Sequence, residues 1–126
     1  MTDRAIVLVA HGSPDPDWRR PLEQLAASLG NTLGDGAVGL AYLAHAPSVV
    51  DEVARLHAAG HRRVLVVAAL LSPGGKHVKR DIPEAVAEAR ERCPEVELAL
   101  APGALGDDAG VIAALAAASL ARLRDV

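Results

Sequence analysis

The sequence predicts one α/β domain over residues 1–126, with a four-stranded parallel sheet, helices on both of its faces and the order βαβαβαβα. Four short apolar runs, at 5–10, 37–44, 63–71 and 96–101, are each followed by apolar residues at helical spacing. The 126 residues suffice for one hydrophobic core and are too few for two domains of ordinary size. The chain is 51% hydrophobic but only 2% aromatic, so the core is aliphatic. This composition suits helices packed on a buried parallel sheet.

The first apolar run, at 5–10, is expected to form a buried strand. It is too short for the core of a signal peptide or for a membrane span. Cys93 is the only cysteine, which rules out an internal disulfide and fits a reducing compartment. We therefore expect a cytoplasmic protein without a membrane partner.

The helices are predicted from apolar residues that recur three or four positions apart. Three of the stripes are Leu22, Leu25, Leu29 and Leu33; Val49, Val53 and Leu56; and Ile82, Val86 and Ala89. The last helix, which is rich in alanine, carries Ile112, Leu115, Ser119 and Leu123 on one side. Breaking and capping residues agree with these limits: Gly34, Gly36, Gly60 and Pro94 interrupt the pattern, and Asp107 and Asp108 offer caps to the last helix.

The charge of the chain argues against a nucleic-acid partner. The formal net charge is −3 and the isoelectric point is near 5.9, and there is no basic face rich in aromatic residues. A zinc cluster or an iron–sulfur site built from thiolates is excluded within one chain, because there is a single cysteine.

Two histidines follow apolar strands directly or closely. His11 ends the first run, and His77 lies in the loop after the third. Carboxyl ends of parallel strands share one edge of a sheet, and ligands bind there where the strand order switches. The loops to inspect are therefore 11–18, 44–48, 71–81 and 101–107. A lone histidine at such a place is more often structural, but two imidazoles that can face one cleft favour a functional site.

The second histidine lies in a flexible and basic loop. Gly74 and Gly75 precede it, and Lys76, Lys79 and Arg80 surround it. Exposed cations are common on protein surfaces, so these three residues can also be explained as a solvent-exposed surface without a binding role.

Two motifs resemble those of a known family. The runs VAHGSP at 9–14 and LLSPGGKHVKRDIP at 70–83 resemble the motifs of the short CbiX-type sirohydrochlorin cobaltochelatases and of the related ferrochelatases of siroheme synthesis. The resemblance covers essentially the whole chain. It implies a flavodoxin-like half of a class II chelatase that pairs as a homodimer, with the metal-site and catalytic histidines at His11 and His77.

The resemblance also implies the substrates. They are a divalent metal, Co²⁺ or Fe²⁺ or Ni²⁺, and a tetrapyrrole ringed with carboxylates, with no organic cofactor. The substrate-binding candidates are Ser13, His45, Lys76, Lys79 and Arg80. Imidazole suits such borderline ions, and its pKa near ~6.5 suits it to accept a pyrrole proton.

The end of the second strand departs from the family pattern. Members often carry a Phe-Leu-Glu-like run there, whereas this chain has Tyr42, Leu43 and Ala44, so the carboxylate is missing. His45 is adjacent and is either a substitute base or ligand, or a structural loop residue. The missing carboxylate leaves a second function open, a non-catalytic carrier of metal or tetrapyrrole.

The remaining polar residues have simpler interpretations. Asp15 and Asp17 are expected as caps or turn residues, and His57 and His61 as residues at the end of the second helix. Arg19 and Arg20 suit a helix surface as well as a substrate contact. A serine hydrolase is disfavoured because Ser13 does not lie in a Gly-x-Ser-x-Gly nucleophile elbow. The hypothesis of phosphoryl transfer through His11 is weakly supported, because the sequence contains no Gly-x-x-x-x-Gly-Lys phosphate-binding loop.

Overall fold

The computed structural model describes residues 3–126 and contains one four-stranded parallel sheet. Its strands are β1 (Arg4–Ala10), β2 (Val38–Tyr42), β3 (Arg63–Ala68) and β4 (Glu97–Leu100), in the order β2-β1-β3-β4. The helices are α1 (Pro16–Leu33), α2 (Val49–Ala58), α3 (Ile82–Arg92) and α4 (Ala109–Leu123). The predicted fold class and element order are confirmed.

The helices begin where short polar side chains satisfy free backbone N–H groups. The Asp15 carboxylate caps α1 by accepting from the Asp17 N–H at 2.9 Å, as the sequence predicted. Ser48 and Asp51 form a reciprocal capping box at the start of α2. Asp108 caps α4, whereas Asp107 lies in a short 3₁₀ turn just before it.

One face of the sheet is fully covered. Helices α2 and α3 pack together on this face, and the strand residues beneath them are buried. The central part of this core consists of Val7, Val9, Val53, Leu56, Val64, Val66, Ile82 and Val86. The aliphatic core expected from the composition therefore lies mainly here.

The other face is covered only in part. Helix α1 contacts β1 and β2 on this face, and Leu8, which alternates with the core residues of β1, is 1% exposed. On β3 and β4 of the same face Leu65 and Ala99 are exposed. Helix α4 contains no buried residue. Its apolar stripe was found from the sequence, but it does not pack into the core of its own chain.

The strand order switches direction between β1 and β3. The chain leaves β1 toward β2 on one side and leaves β3 toward β4 on the other. The loops after these two central strands therefore diverge and leave a crevice at the carboxyl edge, the usual place of a ligand in an open α/β sheet. In the described part of the chain no helix is both long and apolar enough to cross a membrane.

Candidate metal centre

The two histidines singled out from the sequence lie together at this switch point. His11 follows β1 directly, and His77 begins a turn of π-helix, His77–Asp81, that leads into α3. Their ring centroids are 4.7 Å apart, with 44° between the ring planes. The pairing expected from the parallel sheet is therefore present in the structure.

Asp81 holds the His77 ring from behind. The two atoms joined are Nδ1 of His77 and Oδ2 of Asp81, 2.9 Å apart. This hydrogen bond holds the pKa of the Asp81 carboxyl below its usual value, with further lowering from the nearby Lys76 and Arg80 charges. An ionised carboxylate can only accept, so Nδ1 carries the proton and the Nε2 lone pair of a neutral ring is left for a metal or a proton.

Sequence reasoning missed this role of Asp81. Its position four residues after His77 is nevertheless a visible signal, since side chains at that spacing meet on one side of a helix. The π-helical turn that sets the contact is not readable from composition. Such single turns occur frequently at functional sites.

The His11 loop is tied to the loop after β2. The His11 carbonyl accepts hydrogen bonds from the backbone N–H groups of Leu43, at 3.1 Å, and Ala44, at 2.8 Å. Gly12 follows with a φ of 110°, and a Cβ there would lie 2.8 Å from Nε2 of His45. Glycine at this position allows the two loops to approach closely and fixes where the His11 ring emerges.

The His45 ring is held by contacts with its own loop and with the end of β2. Its Nδ1 lies 2.8 Å from the Ala46 carbonyl oxygen, which accepts, and its Nε2 is buried without a hydrogen-bond partner. The ring packs on Tyr42 with centroids 4.5 Å apart, and burial raises the pKa of the Tyr42 phenol. Of the two roles left open for His45, this geometry favours the structural one.

Ser13 organises the turn that leads into α1. Its hydroxyl accepts from the Asp15 N–H at 3.1 Å, and its carbonyl accepts from Nη1 of Arg19 at 3.2 Å. Arg20 pairs with Asp17 on the surface of α1. These contacts support the helix-surface interpretation of both arginines.

The basic loop surrounds His77 on the exposed side of the crevice. Lys76, Lys79 and Arg80 are all exposed, and the backbone N–H of Lys79 donates to the Gly75 carbonyl at 3.0 Å. Nε of Arg80 is 3.7 Å from a carboxylate oxygen of Asp81 and 3.8 Å from one of Glu84. Exposed pairs of this kind contribute little to stability, so the loop cations can be redirected to a ligand.

Few side chains are available as metal ligands in the crevice that contains His11 and His77. Within residues 3–126 no group of three or more histidine, cysteine, aspartate or glutamate side chains is arranged to hold an ion. Two imidazoles leave several coordination positions open, which suits an ion that must be passed on better than one held for structure. His57 lies in the last turn of α2, and His61, 6% exposed, lies beyond that helix, before β3, at the opposite edge of the sheet.

Comparison with known proteins identifies a family. The CbiX family model matches residues 5–121. Among solved structures, a cobalamin (vitamin B12) biosynthesis CbiX protein from Marinobacter aquaeolei VT8 superposes with a TM-score of 0.81 at 24% identity, covering 97% of this chain and 96% of that one. No curated protein matches the sequence.

A longer protein shares the same fold. The sirohydrochlorin chelatase SirB from Bacillus subtilis subspecies spizizenii, in complex with cobalt, superposes with a TM-score of 0.77 at 24% identity over 98% of this chain and 50% of SirB. SirB from Bacillus subtilis with Fe³⁺ gives 0.75 at 23% identity over 90% of this chain and 45% of SirB. The present chain thus spans about half of SirB.

Proposed function

We propose that this chain, which belongs to the CbiX family, is a chelatase that inserts Co²⁺, Fe²⁺ or Ni²⁺ into a sirohydrochlorin-type tetrapyrrole in cobalamin or siroheme biosynthesis. The observation that carries the proposal is the His11–His77 pair, with rings 4.7 Å apart at the switch point of the sheet. The family match and the likeness in fold to the SirB chelatase support it.

The first task of the site is to hold the metal weakly enough to release it. Neutral imidazole binds borderline ions such as Co²⁺, Fe²⁺ and Ni²⁺, whereas thiolate binds soft ions more tightly. His11 and His77 bind the ion in this proposal, and the positions they leave open are taken by the pyrrole nitrogens as the ion is transferred. The metal is therefore a substrate of the protein.

The second task is to remove protons. One divalent ion enters the macrocycle and two pyrrole N–H protons leave it, so the charge balances. As the ion leaves His77, the Nε2 lone pair is freed and can accept one of these protons, and the other passes to solvent. The Asp81 carboxylate, 2.9 Å from Nδ1, stabilises the imidazolium that results.

The third task is to bind the carboxylates on the macrocycle. Lys76, Lys79 and Arg80 provide three exposed cations beside His77, and no organic cofactor is needed for the reaction. Ser13, in the loop after His11, is the proposed contact on the other side of the crevice. Arginine and lysine bind such acidic groups through charge-assisted hydrogen bonds.

The proposal includes a homodimer in the cytoplasm. The chain spans 50% of the SirB chain, so two copies together match the length of that chelatase. A second copy would close the crevice over a macrocycle that one sheet edge leaves open. The single buried thiol, Cys93, suits a reducing compartment.

The direct test is anaerobic absorbance spectroscopy of sirohydrochlorin mixed with each of the three metals. We expect the protein to accelerate metallation over a control without protein for at least one metal. The His57→Ala variant serves as a matched control, because His57 is an exposed histidine outside the site. Equal rates with and without protein for all three metals would contradict the proposal.

The second candidate function is a non-catalytic carrier of metal or tetrapyrrole. Ala44 motivates it, because the resemblance places a glutamate at the end of the second strand and this chain has no carboxylate there. A carrier would change the sirohydrochlorin spectrum on binding without raising the metallation rate. Restored turnover in an Ala44→Glu variant of such a protein would establish the carrier as a chelatase that lost its base.

A further inference from the structure

The tryptophan and the tyrosine of this chain lie at the edge of the sheet that carries the metal centre. The sequence contains one Trp, one Tyr and no Phe, and within residues 3–126 neither aromatic residue belongs to the buried core cluster. Trp18 lies in the first turn of α1, which follows the loop after β1, and Tyr42 is the last residue of β2. Both residues therefore lie at the carboxyl edge, as His11 and His77 do.

Trp18 is the exposed member of a stack of three rings. The ring centroids of His45 and Tyr42 are 4.5 Å apart, and those of Tyr42 and Trp18 are 6.4 Å apart with 51° between the ring planes. Tyr42 is 7% exposed, whereas Trp18 is 38% exposed. The tyrosine therefore supports the tryptophan from within the protein, and part of the tryptophan surface remains open to a ligand.

The backbone that carries Trp18 is tied to the loop that begins at His11. The Trp18 N–H donates to the Asp15 carbonyl at 3.1 Å, and the Asp15 carboxylate caps α1. The next residue, Arg19, donates from Nη1 to the Ser13 carbonyl at 3.2 Å. A side chain whose backbone is ordered beforehand loses less entropy when it binds a ligand, so this position suits a binding residue.

One side chain lies between Trp18 and the His11 loop. Gly12 follows His11, and a Cβ at Gly12 would lie 3.2 Å from Cβ of Tyr42, whose ring packs on Trp18. In a tetrapyrrole the metal position is at the centre, and the pyrrole rings surround it. A residue that binds a pyrrole ring must therefore lie beside the metal ligands without being one of them, and Trp18 satisfies this condition.

We propose that Trp18 is a specificity-determining residue, whose indole stacks on the conjugated face of an outer pyrrole ring of the macrocycle. Indole offers a large flat apolar surface, and stacked aromatic rings attract one another beyond the effect of the area that they bury. The cations of the basic loop attract carboxylates whatever framework carries them. Trp18 therefore adds selection for a planar, conjugated macrocycle over a reduced, non-planar one with the same carboxylates.

This inference rests on the proposed function for the class of ligand, and its tests measure the binding of metal-free macrocycles. A chelatase whose affinity for the macrocycle does not depend on Trp18 would overturn this inference alone. A protein that binds the macrocycle through Trp18 without accelerating metallation would support the inference and overturn the proposed chelatase. His11 and His77 remain unchanged in every variant used.

The first experiment measures the dissociation constant of metal-free sirohydrochlorin by anaerobic equilibrium dialysis. Trp18→Leu is expected to raise this constant about tenfold, because an aliphatic side chain does not stack, whereas Trp18→Phe is expected to stay within about threefold of the unmodified protein. Gln24→Ala, which changes an exposed side chain of the same helix, is the matched control and should have no effect. Circular dichroism establishes that each variant is folded.

Two further readouts separate stacking from support of the metal centre. The midpoint of a Zn²⁺ titration, followed at the ring nitrogens of His11 and His77, should be the same in Trp18→Leu and in the unmodified protein. In the metallation assay the same variant should raise KM and leave kcat unchanged.

Three results of these measurements would overturn the proposal. The first is an unchanged dissociation constant in Trp18→Leu. The second is an equal loss of affinity in Trp18→Phe and Trp18→Leu, because an aromatic ring would then have no advantage over an aliphatic one. The third is a loss of affinity accompanied by a shifted Zn²⁺ midpoint, because Trp18 would then act through the metal centre.

The second experiment compares two ligands that bear the same carboxylates. Uroporphyrin is planar and conjugated, whereas uroporphyrinogen has saturated bridges between its rings and is not planar. The unmodified protein is expected to bind uroporphyrin about tenfold more tightly than uroporphyrinogen, and Trp18→Leu is expected to bind the two with similar affinity. Equal affinity of the unmodified protein for the two ligands, or an undiminished preference in Trp18→Leu, would overturn the role of Trp18 in selecting a planar macrocycle.

Discussion

The carboxyl edge of the sheet and helix α4 differ in how completely their own chain satisfies them. At the edge, the ring centroids of His11 and His77 are 4.7 Å apart although the two residues lie far apart in the sequence. The Asp81 carboxylate accepts a hydrogen bond from Nδ1 of His77 at 2.9 Å. Helix α4 has four large apolar side chains exposed and no residue buried. The carboxyl edge is therefore assembled by contacts within the chain, whereas the apolar side chains of α4 are not buried by any other part of it.

The difference shows which features a chain can position by itself. The register of β1 and β3 places the two histidine loops at one edge, so the site depends on strands that are already buried. Helix α4 instead follows a turn in which the Gly106 N–H donates to the Leu70 carbonyl, and none of its residues is buried. Changes at the edge should therefore affect chemistry and local packing more strongly than changes on the exposed surface of α4.

The largest expected effect is the loss of a metal-site imidazole. His11→Ala and His77→Ala should each lower the metallation rate by at least about a hundredfold, because each variant lacks one metal ligand. The His77→Ala variant also lacks the proton acceptor. The measurement is the initial rate of sirohydrochlorin metallation under anaerobic conditions, with His57→Ala as the control. A full metallation rate in both variants would show that the metal site does not lie at this edge of the sheet.

A smaller loss is expected when the support of His77 is weakened. Asp81→Asn should lower the rate about tenfold, because the amide holds the ring less firmly and no longer stabilises the imidazolium. Glu84→Gln, which changes another carboxylate near Arg80, is the matched control. The optimum of the pH–rate profile should also shift in Asp81→Asn and stay in place in Glu84→Gln. An unshifted profile with full rate in Asp81→Asn would leave Asp81 with no positioning role.

The close packing of the two loops at the edge predicts a loss of stability. Gly12→Ala should lower the free energy of unfolding by about 1–3 kcal/mol, because φ is positive there and the new Cβ meets the His45 ring. Gly36→Ala is the control, since a Cβ at that position meets nothing within 4 Å. Urea denaturation measures both. Equal stability of the two variants would contradict the tight contact between the loops.

The smallest expected effect concerns the loop cations. Lys79→Gln should raise the KM for sirohydrochlorin about threefold at low ionic strength and leave kcat unchanged, because the side chain contributes to binding of the carboxylates and not to the chemistry. The same variant measured at high salt should approach the unmodified protein. A fall in kcat with no change in KM would instead place Lys79 among the groups that act in the reaction.

Much of this architecture was predictable from the sequence. The four apolar runs gave strands within a few residues of those observed, and the order of elements implied a parallel sheet and hence a shared edge for His11 and His77. Asp15 was predicted as a cap from its position before the first helical stripe, and the structure confirms it. These features depend on local pattern and on the period of buried side chains.

Other features depend on contacts that no local pattern contains. The orientation of His45 follows from its burial against Gly12 and Tyr42, and the role of Asp81 follows from a π-helical turn. The apolar stripe of α4 was visible, but a stripe predicts only that a helix is covered, not by which chain. His61 was expected at the helix end and instead lies buried beyond it, because α2 ends at Ala58.

The central claim is that His11 and His77 bind one metal ion together. Nitrogen NMR of the histidine rings during a titration with Zn²⁺, a diamagnetic ion that imidazole also binds, tests it most directly. The account predicts that the ring nitrogens of His11 and His77 shift together with one midpoint, while those of His57 do not move. Shifts of the two rings at different metal concentrations, or of one ring alone, would contradict it.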